Sequence, residues 1–322
     1  MQRLQTTRRS FLGGIGASLM TPSLVQAAQT ETLTGAAFGT QWSVVGSTDA
    51  MLSRLRPDLE ALFADIDQEM SPWRSDSLLT QFNNSVAGAP ASAEMLRVAR
   101  MAMDLAHRTQ GAFDPTIGPL VAKWGFGPIV REGTADWRLL SIEEDRLVKA
   151  QSDLTLDFCG IAKGRALDRA TDLARRSGAD QALLDIGGEL RAIGRHPEGQ
   201  DWRVAVAHPE GGSQSPAVIH LPSGMAVATS GLGAQSYALQ GRLWGHIIDP
   251  SNAEPVQGEL RSVTVLASDA MTADGWATAL FAAGDAEGPA LARENDIDAL
   301  FLYSARSGLP RITTGGIADV LT

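Results

Sequence analysis

Asp274 and Thr278 stand four residues apart in Ala273-Asp274-Gly275-Trp276-Ala277-Thr278. On a helix that spacing stacks a carboxylate and a hydroxyl on one face. Two hard oxygen donors so placed suit Mg²⁺, which takes few protein ligands and completes its shell from water and phosphate. Taken alone, the pair reads first as a helix N-terminal Asp with a Thr bonded back to its own helix. A second segment, Asp157-Phe158-Cys159-Gly160-Ile161-Ala162-Lys163-Gly164, leads from a β-like run through a glycine turn into a helical repeat. Backbone N–H groups at such an opening are free to hold a phosphate, and Lys163 adds a mobile positive charge. The spacing is not that of a Walker loop and its Ser/Thr is missing, which excludes a nucleoside triphosphatase of that type. The plain alternative is an ordinary helix start with a solvated lysine. Cys159 has no activating neighbour in the sequence and is expected to be a small buried residue rather than a nucleophile.

A third segment, Trp244-Gly245-His246-Ile247-Ile248-Asp249-Pro250, sets an imidazole at the start of a strand that turns at Asp-Pro. That turn can bring imidazole and carboxylate to the mouth of a cleft, with packing or solvation as the competing reading for His246. His107, His196, His208 and His220 read as packing or surface residues. In Gly111-Ala112-Phe113-Asp114-Pro115-Thr116-Ile117-Gly118-Pro119, Gly and Pro fix a rigid turn beside aromatics, leaving Asp114 and Thr116 either to bind a ligand or to close an Asx-turn.

The elements that must hold these groups can be read from periodicity. Residues 33–46 read as a bent strand or hairpin. The apolar repeat over 49–69 predicts a helix broken or kinked at Pro57. Ser92 can cap the next helix and Gly111 can end it. Two short β-like runs fall between Leu147 and Phe158, followed by a helix over 161–177. From Gln181 to Val265, short β-like segments alternate with Gly/Pro turns, the spacing of antiparallel sheet. Helices over 271–283 and 286–295 and strands over 298–303 and 309–313 close the chain. With no internal repeat and no linker, the pattern is α+β.

The chain has 322 residues, 44% of them hydrophobic and 20% charged, values that exclude disorder, collagen and coiled coil. Its net charge of -10 gives no basic field for nucleic acid. Its single cysteine excludes an intramolecular disulfide and leaves no zinc-type Cys/His cluster. The first residues resemble a twin-arginine export signal: Thr7-Arg8-Arg9-Ser10-Phe11-Leu12, a Gly/Ala-rich apolar run, and Val25-Gln26-Ala27 as a cleavage site. The run falls short of a membrane span, and no cysteine follows it for a lipid anchor. Cleavage near Ala27 removes three arginines and no acid, leaving residues 28–322 as the mature protein, with a charge of about -13, in the periplasm and without stable membrane insertion. Gly13-Gly14-Ile15-Gly16 follows the twin arginines rather than a strand, so it is no dinucleotide-binding loop.

In this order the four segments resemble the ApbE family, the FAD:protein FMN transferases. Phe38-Gly39-Thr40, Met70-Ser71-Pro72-Trp73, Phe82-Asn83, Asp185-Ile186-Gly187-Gly188-Glu189 and Thr229-Ser230-Gly231 add to the likeness, which covers most of the mature chain. The resemblance implies a compact α+β domain, with a mixed, mostly antiparallel sheet flanked by helices and a cleft between lobes. It implies Mg²⁺-dependent transfer of FMN from FAD to a Ser/Thr hydroxyl of a partner protein, with release of AMP. Phe38, Trp73, Ala112, Phe113 and Asp114 fall at positions that pack the flavin ring, Asp157 and Lys163 at FAD-contacting positions, and Ile247 against the flavin beside His246. The metal would take the Gly160 carbonyl, Asp274 and Thr278. Ala277 stands where some members carry an acid. His246 is the expected general base and Asp249 its orienting partner, with Lys163 neutralising diphosphate charge. Leu232-Gly233-Ala234-Gln235 departs from the Asp, aromatic and Arg common there, which bears on acceptor or phosphate contacts. The implied acceptor is a flavoprotein of a membrane respiratory complex. The export signal without a lipid anchor is similar to that of NosX-type members, which serve nitrous-oxide respiration. Two other readings use the same residues: an FAD pyrophosphatase yielding FMN and AMP, and a non-catalytic periplasmic FAD-binding accessory.

Overall fold

The computed structural model describes residues 30–233, 235–239, 242–304 and 309–322. The expected signal segment and Ala234 lie outside them. Eight strands form the main sheet: β1 (Thr30–Ala37), β2 (Thr40–Ser47), β3 (Ala182–Ile186), β4 (Glu189–Ile193), β5 (Ala226–Gly231), β6 (Leu260–Ala267), β7 (Asp298–Tyr303) and β8 (Arg311–Thr314). They lie side by side in chain order, and every neighbouring pair is antiparallel. The helices are α1 (Arg56–Met70), α2 (Leu78–Asn84), α3 (Ala93–Arg108), α4 (Gly118–Lys123), α5 (Ala162–Arg176), α6 (Ala270–Ala282) and α7 (Gly284–Glu294). This is the expected α+β architecture of helices flanking a mostly antiparallel sheet. Among the described residues no helix is long and apolar enough to cross a membrane.

Alternation along the strands splits the core in two, because successive side chains of a strand point to opposite faces. Ala226 and Ala228 of β5, Val263 and Val265 of β6, and Ala299 and Phe301 of β7 join the larger core with α1, α3, α5 and α6. Val227, Leu266, Leu300 and Leu302 point the other way, into a smaller core under the paired strands Trp202–Ala205 and Val218–Leu221 and under Ile317. Helix α6 is apolar nearly all round, with Ala273, Trp276, Ala277, Leu280 and Phe281 fully buried. Burial of each large side chain there contributes about 1.5–3 kcal/mol. Helices α5 and α6 touch at Gly164, where a Cβ would stand 2.2 Å from the Ala270 carbonyl oxygen, so any larger residue would force the pair apart. Asp168 of α5 accepts hydrogen bonds from the Ala270 (2.7 Å) and Met271 (3.1 Å) N–H groups and pairs with Arg191 of β4, fixing the start of α6 against the sheet.

Two local expectations are refined. The helical run breaks at Pro57 rather than kinking: residues 48–50 and 52–55 are short 3₁₀ turns, and Pro57 lies in the first turn of α1, where its missing N–H costs nothing. Residues 154–158 are not a strand. Their backbone is tied instead by the Asn83 side chain, whose Nδ2 donates to the Leu156 carbonyl (3.0 Å) and whose Oδ1 accepts from the Leu156 N–H (2.7 Å). The Asp157 N–H donates to the Pro115 carbonyl (2.8 Å). The β-like composition is met by side-chain pairing rather than by a ladder.

Candidate active site

Four pieces of backbone converge on one cleft of about 1050 Å³: the β1–β2 turn, the loop before α4, the turn before α5, and the chain after Gly245. Phe38 and Gly39 make the two-residue hairpin turn, both at positive φ (53° and 73°). That backbone is uncommon for a bulky residue, and it sets the Phe38 ring edge-on to Phe63 of α1, with centroids 5.7 Å apart. Trp73, on the loop after α1, is 66% exposed although it lines the cleft. Its loop is held by Arg74, which bonds Asp76, Asp67 and Gln68. An aromatic face left open on a rigid loop is a stacking surface for a planar ligand.

Ala112, Phe113 and Asp114 line the same cavity. Asp114 Oδ1 accepts from the Thr116 N–H (2.8 Å) and hydroxyl (2.6 Å), so the Asx-turn is formed inside the cleft wall, and burial raises the Asp114 pKa. In the next turn Asp157 Oδ1 accepts from the Cys159 N–H (2.9 Å). Cys159 is exposed and lines the cleft, which corrects the expectation of a buried thiol: the capped turn aims this residue away from the core.

The start of α5 differs from the free phosphate cradle expected. The Ala162 N–H donates to the Phe158 carbonyl (2.8 Å) and the Gly164 N–H to Asp274 Oδ2 (2.9 Å). The helix opening is thus partly spent on orienting a carboxylate of α6. Four residues on, Thr278 does not bond back to its own helix. Its Oγ1 donates to the Gly160 carbonyl (3.3 Å) and lies 3.2 Å from Ser230 Oγ. Ala277 is buried in the core.

Lys163 Nζ lies 2.7 Å from Glu189 Oε1 and 3.7 Å from Asp274 Oδ1. Burial opposes its charge, but Asp274 and Glu189 outweigh that and raise the Lys163 pKa above the usual range. Burial pushes the Glu189 pKa up from the ordinary carboxylate value, Lys163 opposing the rise and Asp274 adding to it. Glu189 is a cleft residue to which reasoning from residue types gave no role. It stands at the start of β4 after Gly187-Gly188, in a segment that adds to the family likeness, but its residue type alone gives it no role until the fold sets it against Lys163.

His246 lines the cleft, with Phe126 edge-on at 6.3 Å. Its Nδ1 lies 3.1 Å from the Gln235 carbonyl oxygen, an acceptor only, so Nδ1 carries the proton and Nε2 keeps a free lone pair. Burial lowers the His246 pKa, so the ring is neutral near pH 7. Asp249 is not brought to His246. Its carboxylate accepts from the Ser251 N–H and hydroxyl and from Asn252 Nδ2 (2.7–2.9 Å), closing the turn between the paired segments Ile248–Asp249 and Glu254–Pro255. The orienting role expected of Asp249 falls to the Gln235 carbonyl. That contact is made by the Gln235 backbone, so it does not depend on which side chain stands at 235.

Among the described residues the cleft wall carries six carboxylates, of Glu60, Asp67, Asp114, Asp157, Glu189 and Asp274, against the single ammonium of Lys163. A diphosphate entering such a field needs an added cation. The Gly160 carbonyl, Thr278 Oγ1 and Asp274 form a sparse set of hard oxygens, which fits Mg²⁺ with its remaining positions left to water and phosphate. Oε2 of Glu189, also in the wall, is buried without a donor among the described residues. An orphaned carboxylate oxygen beside that set is a further sign of a missing polar partner.

The ApbE family model matches residues 38–301. The FAD:protein FMN transferase of Vibrio cholerae is 31% identical over 334 residues, covering 98% of this chain and 99% of that protein. That of Haemophilus influenzae is 33% identical over 330 residues, covering 93% and 95%. Among solved structures, the flavin transferase ApbE from Vibrio cholerae superposes with a TM-score of 0.81 at 31% identity, covering 91% of this chain and 99% of that one. The apo form of the Pseudomonas stutzeri flavinyl transferase ApbE gives 0.80 at 32% identity, covering 91% and 96%.

Proposed function

This chain belongs to the ApbE family, and from that premise we propose that it transfers FMN from FAD to a Ser or Thr hydroxyl of a partner protein, releasing AMP. The observation that carries the reading is the convergence on one cleft of Asp274, Thr278, Gly160, Lys163 and His246 beside the open aromatic face of Trp73.

Phe38, Trp73 and Phe113 would hold the isoalloxazine ring and leave the diphosphate toward Lys163 and α6. The acceptor oxygen attacks the phosphorus of the FMN half, the bond to the bridging oxygen breaks, and AMP leaves with that oxygen. His246 Nε2 takes the hydroxyl proton as the new bond forms. Lys163 places a fixed positive charge where the diphosphate lies. Mg²⁺ held by the Gly160 carbonyl, Thr278 and Asp274 would stabilise the negative charge that builds on the phosphoryl oxygens and the leaving group. Holding the ring against Trp73 and Phe38 keeps FAD in place until a protein hydroxyl arrives, which favours transfer over hydrolysis.

The twin arginines Arg8 and Arg9 support export to the periplasm, with cleavage near Ala27, and the acceptor is a flavoprotein subunit of a membrane respiratory complex displayed on that side. The flavoprotein of nitrous-oxide respiration is the first candidate. The test is intact-mass analysis of soluble periplasmic domains of such subunits after incubation with the mature chain, FAD and Mg²⁺. A metal-dependent FMN adduct on a Ser or Thr supports the proposal. AMP and free FMN with no adduct on any domain would replace it with hydrolysis, and unchanged FAD with an accessory role. Cell fractionation of the Arg8→Lys/Arg9→Lys chain, expected in the cytoplasm, tests export.

A further inference from the structure

Glu189 is 4% exposed, yet it carries a carboxylate into the wall of a cleft already rich in acids. Burying an ion pair is poor value for stability, because desolvation offsets most of the attraction. The pair with Lys163 therefore calls for another explanation, and its geometry offers one. Lys163 Nζ stands between two carboxylates, at hydrogen-bond distance from Glu189 Oε1 (2.7 Å) and beyond it from Asp274 Oδ1 (3.7 Å). Asp274 is itself 2% exposed, and its other oxygen is engaged by the Gly164 N–H. Oδ1 is thus the oxygen left for a cation, and Lys163 is its nearest competitor.

We propose that Glu189 is a positioning residue that holds the Lys163 ammonium off Asp274 Oδ1 and so keeps that oxygen open to a divalent cation. Without Glu189, Lys163 keeps a single buried counter-charge and closes on Asp274, where ammonium and cation compete for one oxygen. With Glu189 in place, the same ammonium is drawn back toward β4. The inference rests on the cation reading of Gly160, Asp274 and Thr278 given above, and concerns how two residues outside that set govern access to it.

The test is Mn²⁺ binding to the full mature chain without FAD, read from the electron paramagnetic resonance signal of free Mn²⁺, in a double-mutant cycle. Glu189→Gln keeps size and a hydrogen-bonding oxygen but loses the charge, and is expected to raise the Mn²⁺ Kd about tenfold. In the Lys163→Met background the same change is expected to move Kd less than about threefold, because the competitor is gone. Thermal unfolding confirms that each variant is folded, and Glu189→Asp, which keeps the charge on a shorter arm, should fall between parent and Glu189→Gln. An equal loss in both backgrounds overturns the inference, since Glu189 would then act only as one more negative charge. An unchanged Kd in Glu189→Gln overturns it outright. If the unsubstituted chain binds no Mn²⁺, or if Thr278→Val leaves its affinity unchanged, the cation reading fails first, and that result is distinct from either.

Discussion

Thr278 Oγ1 lies 3.3 Å from the Gly160 carbonyl oxygen, across 118 residues of sequence. The contact exists because Gly160 has no side chain: a Cβ there would stand 2.9 Å from Thr278 Cγ2 and 3.4 Å from the Phe113 ring. Thr278→Val keeps the shape of the site and removes one donor oxygen, so the protein should stay folded while Mg²⁺-dependent turnover falls by about 10- to 100-fold. Gly160→Ala should do the same by displacing the carbonyl. Titrating FMN-adduct formation against Mg²⁺ measures both, and parent-like curves would remove these two groups from the cation site.

His246 carries the next expectation. Burial lowers its pKa, with Lys163 adding to the fall and the Gln235 contact opposing it, so the base is in its active, neutral form at pH 7. The acid limb of the kcat/KM profile should therefore lie below the ordinary histidine value of about 6.5, with activity lost as pH drops through it and flat above. His246→Gln should abolish that limb and cost about 10²- to 10⁴-fold in rate. Asp249→Asn should change neither limb nor rate by more than a few-fold, since Asp249 binds only its own turn. A pH–rate series on the three proteins decides between Gln235 and Asp249 as the partner of His246.

Much of this site could be read from the chain because its parts are local patterns. The helical spacing of Asp274 and Thr278, the glycine turn before Lys163, and the Ser92 cap whose Oγ accepts from the Met95 N–H are set by residues a few positions apart. What could not be read was set by contacts across the sheet. Glu189 gains meaning only when the β3–β4 turn sets it beside α5, and Asp249 loses its expected partner because Ser251 and Asn252 reach it first. The run 154–158 has strand composition, yet Asn83, 73 residues earlier, supplies the hydrogen bonds a neighbouring strand would have given. The helix opening looked free for phosphate because nothing in its own segment announces that Asp274 takes the Gly164 N–H.

Replacing Phe38 should separate binding from stability. At φ 53° it holds a backbone that costs a bulky residue about 1 kcal/mol or more and costs glycine nothing. Its ring meets Phe63 edge-on. Phe38→Gly should relieve the turn, partly offsetting the lost Phe63 contact, so unfolding free energy should change by less than about 1 kcal/mol. FAD affinity should fall about tenfold, as expected for losing one aromatic contact of roughly 1.4 kcal/mol. Urea unfolding and flavin fluorescence titration read the two separately. A large stability loss with unchanged affinity would make Phe38 a core residue instead.

Asn83 is buried and bonds Leu156 through both ends of its amide. Asn83→Ala leaves a buried N–H and a buried carbonyl without partners, at a cost of about 2–4 kcal/mol. The freed strap leads directly to Asp157, so weaker FAD binding should accompany the stability loss. Asn83→Asp restores only the acceptor and should recover part of the stability. Unchanged unfolding in Asn83→Ala would show that the strap holds itself.

Lys149 makes a further test, of stability against pH rather than of catalysis. It is buried, donates to the Leu154 (2.9 Å), Asn83 (3.3 Å) and Ser152 (3.4 Å) carbonyls, and sits 4.9 Å above the Phe82 ring. Burial pulls its pKa from 10.5 to about 8, Arg131 adding to the fall and Asp153 opposing it. The folded state therefore gives up this proton near pH 8, while the unfolded chain keeps it to about pH 10.4. Between those values the unfolded state binds more protons, so this group makes stability rise with pH, by up to about 1.4 kcal/mol per unit, and contributes no slope below pH 7. Other titrating groups act in the same range, so the quantity to measure is the difference in urea unfolding free energy between the parent and Lys149→Met from pH 7 to 9.5. The parent should gain on the variant as pH passes 8. Parallel curves would mean that the three carbonyls keep the ammonium charged and that burial costs it nothing.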